Sequence, residues 1–190
     1  MVHTDSDWAG CTRTRRSTSG GSIQLGQHSL RTWSTTQRTV AMSSAEAEYN
    51  SLIEGVQRSL GVQTMLAELG VVVKIIVYTD SSAAKSFASQ RGLGRMRHME
   101  VRKLWLQEEV RQGRVRLAKV RGDANPADLL TKYLGPREVD DRCASLHIEV
   151  VKNLKHELAS VSAMRVETEG GCQESDPCTQ CVCFTRPCNC

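Results

Sequence analysis

Apolar and polar positions along the chain change period several times, and each change marks a predicted element. Val2 to Trp8 is a short strand. Ser17–Leu25 and Ser29–Thr35 are two strands of a hairpin, with Ile23, Leu25, Leu30 and Trp33 as apolar positions and Gly26-Gln27-His28 as the turn. Gly20-Gly21 marks a bulge in the first of them. Period two then gives way to the helical period. A helix opens at Ser43 and runs to about Leu69, with Leu52, Val56, Leu60, Leu66 and Leu69 as core positions and Gly70 as its stop. Ser43 and Ser44 are N-cap residues, and Ser43 with Glu46 has capping-box spacing. The run from Val71 to Thr79 predicts a buried strand ending on Asp80. Helices follow over Ser81–Gln90 and about His98–Gln112, the second carrying Val101, Trp105, Glu108 and Val110, with Arg91-Gly92-Leu93-Gly94 as the break between them. Val115, Leu117 and Val120 mark a last strand. Asn125-Pro126-Ala127-Asp128 opens a short helix, Asn125 as cap and Pro126 at its first position. After Leu134-Gly135-Pro136 the pattern weakens, and Asp140 to about Ala163 suits one or two amphipathic helices.

The order is therefore strand, hairpin, helix, strand, helix, helix, strand, helix, an α/β arrangement. The 190 residues suit one ordinary domain, placed at 1–135, with a helical extension at 136–166 and a Cys-rich tail at 167–190 expected to be poorly structured. No apolar run is long enough to span a bilayer, and the N-terminus has no signal-peptide pattern. An intracellular protein without membrane association is expected. The formal net charge of +4 is compatible with a polyanionic partner. Six of the eight cysteines, Cys172, Cys178, Cys181, Cys183, Cys188 and Cys190, crowd the tail. The Cys178–Cys181 spacing suits zinc, but the tail supplies neither a second such pair at finger distance nor a nearby histidine.

The chemistry lies in acids at element ends. Asp5 is on the first strand, Glu48 in the first turns of the long helix, Asp80 at a strand tip and Asp128 at the head of the last short helix. Each has an ordinary alternative: Asp5 or Asp7 as a turn residue, Asp80 as a helix cap, Asp128 at N3 against the helix dipole. Glu48 lies one turn before Leu52 on the face that meets the sheet, where a carboxylate needs a cationic partner. Strand ends are where open sheets with crossover helices bind ligands. Four converging carboxylates would repel one another unless divalent cations were bound, and Mg²⁺ takes oxygen ligands of this kind. Two such ions about 3.5–4 Å apart suit an in-line phosphoryl displacement.

Six stretches carry a resemblance. They are Asp5-Ser6-Asp7-Trp8-Ala9-Gly10, Arg15-Arg16-Ser17-Thr18-Ser19-Gly20, Ser43-Ser44-Ala45-Glu46-Ala47-Glu48-Tyr49, Tyr78-Thr79-Asp80-Ser81-Ser82-Ala83-Ala84, Arg97-His98-Met99-Glu100-Val101 and Asn125-Pro126-Ala127-Asp128-Leu129-Leu130-Thr131-Lys132. In these, and in their order, the chain resembles the ribonuclease H domain of copia-type retrotransposon Pol polyproteins. The resemblance implies a ribonuclease H-like fold, a five-stranded mixed sheet flanked by helices. It implies hydrolysis of the RNA strand of RNA–DNA hybrids with two Mg²⁺ or Mn²⁺ ions, and a reverse transcriptase region as neighbour in the parent polyprotein. It places the catalytic, metal-binding acids at Asp5, Glu48, Asp80 and Asp128, with Asp7 and Glu46 as rival positions. Arg13, Arg15, Arg16, Arg97 and His98 become candidate backbone contacts to a hybrid, His98 having a structural hydrogen bond as its alternative. Against the family pattern, the first strand is expected to be clipped, the chain to be a fragment, and the segment after Pro136 to be unrelated. A catalytically inactive, nucleic-acid-binding remnant is the alternative expectation.

Overall fold

The computed structural model describes residues 1–94 and 98–149. Its strands are β1 (Val2–Ser6), β2 (Thr18–Leu25), β3 (His28–Thr36), β4 (Ile75–Thr79) and β5 (Val115–Lys119). Its α-helices are α1 (Ser44–Glu68), α2 (Ser82–Ser89), α3 (Trp105–Arg111) and α4 (Pro136–Ser145), with short 3₁₀ helices at Val101–Leu104, Gly122–Ala124 and Pro126–Leu130. The strands form one sheet in the order β3-β2-β1-β4-β5. β1 pairs antiparallel with β2 and parallel with β4, β2 and β3 form the antiparallel hairpin, and β4 runs parallel to β5. This mixed sheet, with helical crossovers from β3 to β4 and from β4 to β5, is the ribonuclease H-like architecture. The short first strand holds the central place and pairs on both sides.

One face of the sheet carries the core. Val2, Ile23, Trp33, Ile75, Val77 and Val115 meet Tyr49, Leu52 and Val56 of α1, Ala84, Phe87 and Ala88 of α2, and Leu106 of α3. The Tyr49 ring packs edge-on to Phe87 at 4.6 Å between centroids, and its hydroxyl donates to the Lys103 carbonyl. Along the even positions of β1, Val2 and Thr4 approach the α1 backbone so closely that a Cβ on Gly55 would lie 2.5 Å from Thr4 Cγ2. The odd positions, His3 and Asp5, therefore face the opposite side. There the Pro126–Leu130 turn lies against β1 and β2, and α4 packs on that turn. α4 is seated by buried Cys143 and Leu146 and by the Gln24 side chain, which donates to the Ser145 carbonyl at 3.1 Å.

Several expected features differ. α1 begins as predicted, Ser43 Oγ accepting from Glu46 N, but Leu69 is 73% exposed. At about 1.5 Å per residue the 25-residue helix is about 37 Å long, whereas five residues of β1 span about 17 Å, so its last turns overhang the sheet. Val71–Lys74 is not strand, and Val72 is 92% exposed. β4 starts only at Ile75, where Val115 supplies a partner. Gly20 and Gly21 sit in regular pairing, and the register shift falls between Ile23 and Gln24. The two glycines instead make room: a Cβ would lie 2.8 Å from Leu130 Cβ at Gly20 and 2.3 Å from the Trp33 ring at Gly21. The helix expected from His98 is a 3₁₀ turn followed by α3, and Val101 is exposed. Leu106 and Gln107 form the buried face there, Gln107 bonding Phe87 O, Gly92 O and Gly92 N. The expected extension at 136–166 is described only to residue 149, where α4 occupies its first part, and the Cys-rich tail with its zinc reading lies outside the described residues.

Candidate metal centre

The parallel pairing of β1 and β4 fixes the first two acids. His3 lies opposite Tyr78, so two residues further on Asp5 and Asp80 stand level at the carboxyl ends of adjacent strands. Glu48 comes from the second turn of α1 and reaches the same end, where its Oε1 accepts from the Ser6 amide at 3.3 Å. Carboxylate oxygens of Asp5, Glu48 and Asp80 lie within 4.8 Å of one another. Asp80 is free of the capping role, because Ser81 caps α2 by accepting from Ala84 N at 3.1 Å. Beyond Asp80 lies Gly122, where a Cβ would sit 3.2 Å from Asp80 Oδ2.

Burial and mutual repulsion set the electrostatics. Asp5 is 1% exposed, and its pKa is pushed up to about 6, mainly by burial, with Asp128 and Asp80 adding to the rise and Thr131 and Lys132 opposing it. Glu48 is pushed up to about 8 by burial and then by the Asp5 and Asp80 charges, against the Ser6 contact. Glu48 Oε2 is buried without a hydrogen-bond partner among the described residues. A buried, unpaired carboxylate oxygen is costly. Three hard oxygen donors converging in this way fit a divalent cation, which would favour the charged forms of Asp5 and Glu48.

The fourth acid is nearby but otherwise engaged. Asn125 Oδ1 caps the 3₁₀ helix by accepting from Ala127 N, which puts Asp128 at its third position. Asp128 Oδ1 lies 2.8 Å from Lys132 Nζ, and Oδ2 lies 3.8 Å from Arg142 Nη2. Lys132 Nζ is also 3.6 Å from Asp5 Oδ2, the oxygen that accepts from the Thr131 hydroxyl. Thr131 and Lys132 were not among the expected site residues. The i,i+4 spacing of Asp128 and Lys132 was the available signal.

The rival acids have local partners. Asp7 Oδ1 accepts from the Thr18 amide. Glu46 Oε2 accepts from Met42 N at 2.8 Å and lies 2.9 Å from His98 Nε2. The capping box thus closes one residue upstream of Ser43, and His98 makes a structural contact. Arg13, Arg15 and Arg16 are exposed on the loop leaving the carboxyl end of β1, which is the end that carries the acids. Arg97 lies outside the described residues. Beside α1 and β3 an open groove of about 700 Å³ is lined by Thr36, Arg38, Asn50, Arg58 and Lys103 together with the apolar Ile53 and Trp105.

No protein-family model matches the chain. It is 32% identical over 146 residues to the retrovirus-related Pol polyprotein from transposon TNT 1-94 of Nicotiana tabacum, a match covering 76% of this chain. It is 31% identical over 136 residues, 70% of this chain, to the retrovirus-related Pol polyprotein from transposon RE2 of Arabidopsis thaliana. These matches span 11% and 9% of the relatives' own lengths. Among solved structures, the chain is similar to an LC11 ribonuclease H1 in complex with an RNA/DNA hybrid, with 15% identity, coverage of 68% of this chain and 91% of that one, and a TM-score of 0.45.

Proposed function

The chain belongs to the copia-type retrotransposon Pol family, and we propose that it is the ribonuclease H part of such a polyprotein, cleaving the RNA strand of RNA–DNA hybrids. The observation that carries this reading is the convergence of Asp5, Glu48 and Asp80, with Glu48 Oε2 buried and unpartnered. In this reading Asp5, Glu48, Asp80 and Asp128 hold two Mg²⁺ or Mn²⁺ ions. When bound, such ions supply an activated water and neutralise the leaving 3′ oxygen of an in-line displacement.

The chain's own residues prepare that chemistry. The two parallel strand ends fix the spacing of Asp5 and Asp80. Ser6 N–H orients Glu48, and Thr131 Oγ1 orients Asp5. Arg13, Arg15, Arg16 and Arg97 are assigned to the hybrid backbone, while His98 is held by Glu46. Hybrids are distinguished by shape and 2′-hydroxyls rather than by base sequence, which polar donors along a groove suit. The reverse transcriptase region of a parent polyprotein is the proposed neighbour, and an intracellular setting follows from the reading. No helix among the described residues is long and apolar enough to cross a membrane.

The test is cleavage of a labelled RNA–DNA hybrid by the purified chain with Mg²⁺, with Mn²⁺ and with chelator, alongside Asp80→Asn. Metal-dependent loss of the RNA strand alone, absent in the variant, supports the enzyme. Hybrid binding by a folded chain without cleavage at any metal concentration points to the catalytically inactive remnant.

A further inference from the structure

The end of the sheet opposite the acids carries an apolar surface that the described residues leave uncovered. Met65, Leu66 and Leu69 recur at helical spacing along the last turns of α1, and Met65 and Leu69 are exposed. Beneath this overhang Leu25 and Leu30, at the closed end of the β2–β3 hairpin, are exposed as well. A hollow lined by Leu25, Leu30, Leu66 and Val73 joins them to the helix. Val71 and Val72 extend the surface past the helix end. Hydrogen bonds fix their position. Gly70, at φ +78°, donates from its amide to the Ala67 carbonyl at 2.9 Å, and the Val71 amide donates to the Leu66 carbonyl at 2.8 Å. These are the paired bonds that close a helix on a left-handed glycine. The Gln63 side-chain amide holds the next residues by donating to the Val73 carbonyl at 2.7 Å.

We propose that this surface pairs two copies of the chain about a two-fold axis. Its area is suited to that. Leu25, Leu30, Met65, Leu69, Val71 and Val72 together expose on the order of 600 Å², which is large for a patch on a monomer and approaches the about 800 Å² that each partner gives to a stable interface. Charge selects a second copy as the occupant. Glu68 borders the helical stripe on the Met65 side, and Lys74 borders the hollow beside Leu66; both are exposed. Neither has an ion pair among the described residues. An apolar patch flanked by one acid and one base is complementary to itself, because a two-fold axis sets Glu68 of each copy against Lys74 of the other. Such a contact is closed and stops at two chains. Glu48 and Leu69 are about 31 Å apart along α1 at about 1.5 Å per residue. The interface therefore lies far from the acids, and the inference stands apart from the metal-centre reading.

The experiment is sedimentation velocity of the full chain in reducing buffer, from about 1 to 100 μM. The wild type should pass reversibly from monomer to dimer across this range. Leu69→Asp and Val72→Asp should each weaken the dimer at least about thirtyfold, by placing a charge in an apolar contact. Both positions are exposed, so both variants should fold, which circular dichroism melts check. Their response to Mg²⁺ in those melts should match that of the wild type. Glu68→Lys and Lys74→Glu should each weaken the dimer about tenfold, since each reversal acts twice in a symmetric pair, and the double variant should restore it. A monomer at every concentration overturns the proposal and leaves the patch to another region of the parent polyprotein. Growth beyond the dimer, or a dimer that survives both aspartate variants, overturns it as well. Weakening by the single reversals without recovery in the double variant overturns the two-fold pairing.

Discussion

Asn125 donates from Nδ2 to the Thr4 carbonyl at 3.0 Å, across 121 residues of sequence, and both residues are fully buried. The same side chain caps the Pro126–Leu130 turn through Oδ1. One amide thereby fastens the element bearing Asp128 to the strand bearing Asp5. Asn125→Ala leaves a buried carbonyl and the Ala127 amide unmet, at a cost of about 2–3 kcal/mol. A thermal melt should show this as a fall of roughly 4–12 °C, and cleavage should fall further than the lost folded fraction accounts for. A melt unchanged within about 2 °C would mean that water meets both groups.

Gly20 is needed for contact rather than for conformation. A Cβ there would lie 2.6 Å from Thr131 Cγ2 and 2.8 Å from Leu130 Cβ. Gly20→Ala should push the Asp128-bearing turn off the sheet, costing about 1–3 kcal/mol by overpacking and weakening metal binding. Gly26→Ala is the comparison at an open site, where nothing lies within 4 Å but the backbone has φ +60°. It should lower stability by about 1 kcal/mol without touching metal affinity. Equal effects of the two variants on metal affinity would count against the contact argument.

Asp80→Asn should remove metal-dependent cleavage by at least about a hundredfold. It should leave the metal-free melting temperature within a few degrees, because Ser81 rather than Asp80 caps α2. The rise in melting temperature that saturating Mg²⁺ gives the wild type should disappear. Retained Mg²⁺ stabilisation in the variant would remove Asp80 from the ligand set.

The metal-free protein should lose stability as pH rises. Glu48 has a folded pKa of about 8 against 4.5 for the free side chain, and Asp5 about 6 against 3.8. Both are raised, so the folded state holds protons that the unfolded chain releases. Their contribution is fully present below the unfolded values and is lost as pH rises through about 6 and then about 8. Melts in chelator should therefore decline across this window, Glu48→Gln should flatten the upper part of the decline, and Mg²⁺ should offset it in the wild type. A flat wild-type profile in chelator would show that neither burial nor the neighbouring carboxylates raise Asp5 and Glu48.

Neutralising Arg13, Arg15 and Arg16 together should weaken hybrid binding and shallow its dependence on salt, by about one unit of slope per lost phosphate contact. Stabilisation by Mg²⁺ should stay the same, since these side chains are exposed on the loop after β1. An unchanged salt slope would remove the loop from the interface.

Local chemistry determined most of the element plan. Ser43, Ser81 and Asn125 were set as cap or helix-start residues by side-chain oxygens that accept from the next turn. The hairpin, the five strands and the three acids Asp5, Glu48 and Asp80 could be placed because alternation, capping and element ends are short-range signals. What lay outside the sequence were quantities that depend on neighbours. β4 is shorter than its apolar run because pairing requires a partner, and its partners start opposite Ile75 and Val77. Leu69 and Val101 are exposed because the sheet and the α3 face end before reaching them. Gly20 and Gly21 suggested a bulge, yet what they provide is room for Leu130 and Trp33, which folding brings from elsewhere in the chain. The division of the four acids was equally invisible. Asp5 and Asp80 stand level because two strands distant in sequence align in parallel register. Asp128 faces Lys132 and Arg142 because a turn and a helix pack on the opposite side of that sheet, and the energy of a charge is set by what surrounds it in space.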